Sequence, residues 1–77
     1  MLIVPNVYAT VLDEDECYDL GVNNGHGTAP FTTSAFRNCE KFNPTGDYDD
    51  NPYYKGFIKG CMDDGNTKET CETFTDN

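Results

Sequence analysis

The chain contains no tryptophan, one histidine and only five basic residues among 77, against fourteen acidic ones. The resulting net charge of −9 works against binding to a phosphate backbone or to anionic lipid. It favours solubility, cations and basic partners, and it adds self-repulsion to the compact state. No nucleic-acid partner is expected. A long apolar run is also missing, since nothing approaches the ~20 residues of a membrane span. There is no C-x-x-C pair, and His26 lies far in sequence from any paired thiols, so zinc and haem spacings are excluded. G-x-S-x-G and a His–Cys pair are absent too. His26 sits between two glycines and reads as a surface residue. No catalytic residue is assigned, and the chain is not expected to be an enzyme.

Against these absences stand four cysteines, at Cys17, Cys39, Cys61 and Cys71. A domain this short buries too little apolar surface to be comfortably stable alone. Apolar residues are 36% of the chain, and the five Tyr and five Phe must supply much of the buried area. Four cysteines in such a chain read as two disulfides, formed in an oxidising compartment outside the cytosol. They allow three pairings. The short loop between Cys61 and Cys71 can fold one onto the other, which favours Cys61–Cys71 and leaves Cys17–Cys39.

Residues 1–12, MLIVPNVYATVL, carry two readings. Val7-Tyr8-Ala9 matches the end of a secretory signal, with Ala9 before the cut. Alternatively the segment is an extended apolar arm, with Pro5 marking an edge. Residues 13–77 read as a single small disulfide-stapled domain, all-α, with three to four short helices and irregular loops. Asp13-Glu14-Asp15-Glu16 suits the positive end of a helix macrodipole, predicting a helix from about Leu12 to Asn24. The glycines of Asn23-Asn24-Gly25-His26-Gly27 would supply a left-handed cap. Thr28 to Phe31 forms a turn, and Thr32-Thr33-Ser34 offers N-caps for a helix over Ala35 to Phe42. Asn43 to Asn51 is a turn-rich acidic loop. Pro52 opens a third helix over Tyr53 to Met62, ended by Asp63-Asp64-Gly65. Asn66 or Thr67 caps a last helix, Lys68 to about Phe74, and the tail Thr75-Asp76-Asn77 frays.

Two segments share a pattern. Tyr18-Asp19-Leu20-Gly21-Val22-Asn23-Asn24-Gly25 and Tyr53-Tyr54-Lys55-Gly56-Phe57-Ile58-Lys59-Gly60 both read Y-x-x-G-[VF]-x-x-G. A helical glycine costs about 1 kcal/mol relative to alanine, so two such pairs need a compensating gain. Glycines four apart form a smooth stripe that lets helices approach closely. Gly21, Gly25, Gly56 and Gly60 are therefore expected to mark an intramolecular helix crossing.

The acidic clusters raise the question of calcium, which takes six to eight oxygens from a sharply turning loop. Asp47, Asp49, Asp50 and Asn51 have the right residue types. They lack the EF-hand pattern, with no glycine at its turn position and no closing bidentate glutamate. Asp13 to Glu16, and Asp63 and Asp64 with Asn66, are lesser candidates. A solvated acidic loop is the plainer reading, and no other cofactor is indicated.

The stretch Tyr53 to Thr75, YYKGFIKGCMDDGNTKETCETFT, with Cys17-Tyr18-Asp19-Leu20-Gly21, resembles small secreted cysteine-containing proteins of ammonia-oxidising archaea. The resemblance rests on Gly56-Phe57, Gly60-Cys61-Met62, Gly65-Asn66-Thr67 and Cys71. It implies an extracytoplasmic protein and transfers no catalytic residue. The expected function is a non-enzymatic, extracytoplasmic interaction or structural module of a cell-surface assembly, working with a protein partner or by self-assembly. An apolar arm is a natural element to insert into a neighbouring subunit. The alternatives are an acidic calcium-type cation-binding module, and a secreted inhibitor or effector whose contact is the loop Asn43 to Asn51.

Overall fold

The computed structural model describes residues 13–27 and 30–75. The N-terminal arm or signal remnant, residues 28 and 29 of the turn, and the last two residues of the tail lie outside the described residues. Four α-helices occur among the described residues, with no strand. They are α1 (Glu14–His26), α2 (Thr33–Cys39), α3 (Pro52–Asp63) and α4 (Lys68–Phe74). Single 3-10 turns at Glu40–Phe42 and Tyr48–Asp50 interrupt the α2–α3 connection.

α1, α3 and α4 begin where a side chain satisfies free amides, whereas Thr32, expected among the caps of α2, makes no capping bond and donates its hydroxyl to the Pro30 carbonyl at 3.3 Å. Asp13 caps α1 with a reciprocal pair of bonds. Its Oδ1 accepts from the Glu16 amide at 2.8 Å, and Glu16 Oε1 accepts from the Asp13 amide at 3.0 Å. The acidic run therefore includes the cap itself, and α1 starts at Glu14. Its far end partly corrects the expectation of a left-handed glycine cap. Gly25 lies inside the helix, and Gly27 is the cap residue but with φ −99°, outside the left-handed region.

α2 is shorter than the expected Ala35–Phe42, for a specific reason. The Asn51 side-chain amide donates to the Phe36 carbonyl at 3.1 Å. That carbonyl would otherwise receive the Glu40 amide, which bonds to the Arg37 carbonyl instead. The chain tightens into the 3-10 turn at that step. α3 opens at Pro52, as expected, with Asn51 as N-cap. It ends at Asp63, followed by Gly65 at φ +97°. Thr67 caps α4 by accepting from the Thr70 amide at 3.1 Å. Asn66 faces backwards, donating to the Cys61 carbonyl at 3.1 Å and so closing α3.

α1 and α3 lie side by side and run parallel. Residues 18, 22 and 26 of α1 face residues 56 and 60 of α3, and Gly21 and Gly25 face Tyr53, Phe57 and Cys61. The approach is backbone to backbone. A β-carbon on Gly21 would collide with the Tyr53 carbonyl oxygen and stand 2.7 Å from the Phe57 nitrogen. On Gly25 it would collide with the Phe57 oxygen and stand 2.9 Å from the Cys61 nitrogen. Gly56 and Gly60 meet the carbonyls of Tyr18 and Val22 in the same way. Each glycine thus directs a hydrogen toward a carbonyl oxygen of the other helix, a weak but recurring stabilising contact. The helix crossing expected from the repeat is present, with all four glycines at its seam.

Two disulfides, Cys17–Cys39 and Cys61–Cys71, join α1 to α2 and α3 to α4. Each is buried within its own apolar cluster. Cys17 and Cys39 pack with Ala35 and Tyr53, while Cys61 and Cys71 pack with Tyr54, Phe57 and Ile58. Phe31 and Phe36 lean on both clusters. The Phe31 ring lies 5.1 Å from Tyr53 and 5.2 Å from Phe57, centroid to centroid.

Candidate functional site

The Asn51 side chain makes four hydrogen bonds, and it is fully buried. Its Oδ1 accepts from the amides of Tyr53 at 2.9 Å and Tyr54 at 3.2 Å. Its Nδ2 donates to the Phe36 carbonyl and, at 2.6 Å, to Glu40 Oε1. Every hydrogen-bonding direction of the amide group is occupied. This corrects the inclusion of Asn51 in a calcium set, because the residue is the joint between α2 and α3.

The three aspartates of that set do not converge either. Asp50 Oδ2 accepts from Thr45 Oγ1 at 2.6 Å. Asn43 folds the loop from within, its Oδ1 accepting the amides of Thr45 and Gly46, both at 3.0 Å. Gly46 turns the chain at φ +89°. Among the described residues no group of three or more His, Cys, Asp or Glu side chains is placed to hold a metal ion.

His26 ends α1 and pairs through Nδ1 with Asp64 Oδ1 at 2.7 Å, just beyond the end of α3. A protonated imidazole there would sit at the negative ends of two parallel helices. The pair has the look of a base with its orienting carboxylate. All four cysteines are in disulfides, however, so no thiol is available to it.

Tyr53 and Tyr54 are both buried. Tyr53 turns its hydroxyl to Asn24 Nδ2 at 2.6 Å and to the Thr32 amide at 3.0 Å. Tyr54 borders a surface groove of about 420 Å³. The groove lies between α2, the second 3-10 turn, α3 and α4. Phe31, Phe36, Tyr48 and Tyr54 supply aromatic surface, and Arg37 and Glu72 supply charge. Tyr48 is 69% exposed, and its ring meets two others. It stands edge-on to Phe36 at 5.5 Å and stacks on Tyr54 at 6.3 Å.

Burial raises the Tyr54 hydroxyl above its ordinary pKa, the Thr75 side chain works against this, and the negative charges of Glu72 and Asp49 add to it. The ion pairs among the described residues are His26–Asp64 and Lys59–Asp63, so Arg37 and Glu72 have no charged partner there. Sequence reasoning did not single out this groove. Its one signal was Tyr48, a lone aromatic residue inside the acidic loop.

The chain matches no family model, and no curated protein or solved structure matches it.

Proposed function

We propose that the chain is a non-enzymatic, extracytoplasmic interaction or structural module within a cell-surface assembly. The observation that carries the reading is the pair of buried disulfides, each at the centre of one of the two apolar clusters. Such bonds form and persist where thiols are oxidised. No helix among the described residues is long and apolar enough to cross a membrane. The resemblance to secreted archaeal proteins supports the same location.

Cross-linking intact cells, followed by denaturing electrophoresis under non-reducing conditions, tests the assembly. The chain should migrate in a higher-mass species, and a monomer alone would overturn the reading. Sedimentation of the purified chain with and without residues 1–9 tests self-assembly through the N-terminal arm, which requires the truncated form to be smaller. Four alkylatable thiols in the native protein would overturn the extracytoplasmic location.

A further inference from the structure

We propose that the groove bounded by Phe36, Tyr48, Tyr54 and Glu72 docks a basic segment of a protein partner, with one lysine or arginine side chain laid against the Tyr48 ring. This rests on the interaction-module reading and names its contact surface. A volume of about 420 Å³ admits one long side chain and the main chain that carries it. The Tyr48 ring packs against Phe36 and Tyr54, contacts that favour one orientation and leave most of its surface open. A cation over such a face is attracted by the ring quadrupole, and more strongly when a carboxylate is near. Glu72 lines the groove, and Asp49 acts on the Tyr54 hydroxyl beside it.

The charge of the chain favours a basic occupant over the others. A purely apolar segment would desolvate Glu72 and Arg37 without replacing their water. An acidic segment or a nucleic acid would approach a chain of net charge −9 and be repelled. Arg37 then has a role a cationic side chain does not contest. Its guanidinium, free of ion pairs with described residues, can donate to the carbonyl oxygens of the docked main chain.

The test titrates the oxidised, isotope-labelled full chain with capped hexalysine and hexaarginine peptides at physiological ionic strength. Backbone amide shifts are followed by NMR. The expected result is saturable shifts confined to Phe31, Phe36, Tyr48, Tyr54 and Glu72. Tyr48→Ala should weaken binding by about fivefold, while Tyr48→Phe, which keeps the ring face, should bind as the parent does. Glu72→Gln should also weaken it. Glu14→Gln removes the same charge from the far end of α1 and should not. Tyr48 is largely exposed, so its replacement leaves the fold intact, and the Glu72 variant is an independent check.

Absence of binding, shifts spread over the acidic α1 turn, or equal losses in the Glu14 and Glu72 variants would overturn the proposal. So would unchanged binding in Tyr48→Ala. The cross-linking experiment does not depend on any of these. A higher-mass species with a silent groove would mean a module that uses another face.

Discussion

Adding one methyl group to Gly21, Gly25, Gly56 or Gly60 should destabilise the molecule, although alanine is the better helix former at each. The new carbon would lie on a carbonyl oxygen of the facing helix in all four cases. A carbon–oxygen pair rests at about 3.3 Å or beyond, so the helices would have to part by about 1 Å. Backbone atoms cannot swing aside as the tip of a side chain can. Overpacking of this kind costs about 3 kcal/mol, and the gain in helix propensity returns about 1 kcal/mol. The net loss of about 2 kcal/mol lowers the melting temperature of a domain this size by about 8–16 °C.

No glycine of the seam has a positive φ, a geometry found only at Gly46 and Gly65 among the described residues. Left-handed strain is therefore no part of the expected loss. Gly27→Ala is the control, because its nearest neighbour would be a carbonyl oxygen at an unstrained 3.6 Å. Circular dichroism melts with both disulfides intact supply the readout. Gly21→Ala combined with Gly56→Ala should cost less than the sum of the two, since both relieve the same gap. A melting temperature unchanged or raised in the seam variants would refute the close approach.

Four further outcomes are expected. The native mass should lie about 4 Da below the reduced mass, two hydrogens for each bridge. Replacing both Cys61 and Cys71 by alanine should cost about 2.7 kcal/mol for the 10-residue separation and replacing both Cys17 and Cys39 about 3.4 kcal/mol for the 22-residue one. Hydrogen exchange should show the first pair freeing α4 and the second freeing α2, and protection retained in those helices would contradict the assignment. Asn51→Asp should cost about 3 kcal/mol at neutral pH, because an acceptor replaces the donor facing Glu40 Oε1 and the Phe36 carbonyl. Denaturant titrations should find that loss shrinking as pH falls through the carboxylate range, where a proton can bridge the two acids. Tyr54 holds its proton more tightly in the folded chain than its ordinary value of 10.0 implies. Its contribution to stability is therefore present below about pH 10 and lost as pH rises beyond it. Lys59, raised by its bond to Asp63, acts in the same direction. Tyr54→Phe should flatten the alkaline part of a pH–stability curve, and an unchanged slope would count against this.

Local signals carried much of this architecture. Pro52 and Thr67 mark helix starts by chemistry that needs no tertiary partner, and α4 spans Lys68 to Phe74 as the pattern predicts. Cys61–Cys71 follows from chain proximity once the helices are placed, and Cys17–Cys39 is the pair that remains. Long-range competition for backbone groups is what a local reading misses. α2 is cut short because Asn51, fifteen residues away, takes the Phe36 carbonyl. The same residue reads in sequence as one more oxygen of an acidic loop. The groove is illegible for a similar reason: its walls come from four separate segments, and only the packing brings Tyr48 beside Phe36 and Tyr54.

The repeat gains its meaning from the direction of the helices. Each position of the second Y-x-x-G-[VF]-x-x-G copy lies 35 residues after its counterpart, and the contacts pair equivalent positions reciprocally. Gly21 meets the carbonyl of Tyr53 while Gly56 meets that of Tyr18, the matching tyrosine. Gly25 meets Phe57 while Gly60 meets Val22, again matching residues. Such reciprocity is a local two-fold relation along the helix pair, the arrangement of a symmetric dimer built within one chain. Parallel helices cannot be joined by a tight turn, so the connection must return along their whole length. α2 and the two 3-10 turns are that return path, and Cys17–Cys39 fastens it to α1. The cysteines stand outside the repeat because they secure the asymmetric parts, the crossover and α4, which the glycine seam leaves unsupported. The groove forms where those parts meet the side of α3 away from the seam. Its walls are therefore predicted to loosen when either disulfide is broken.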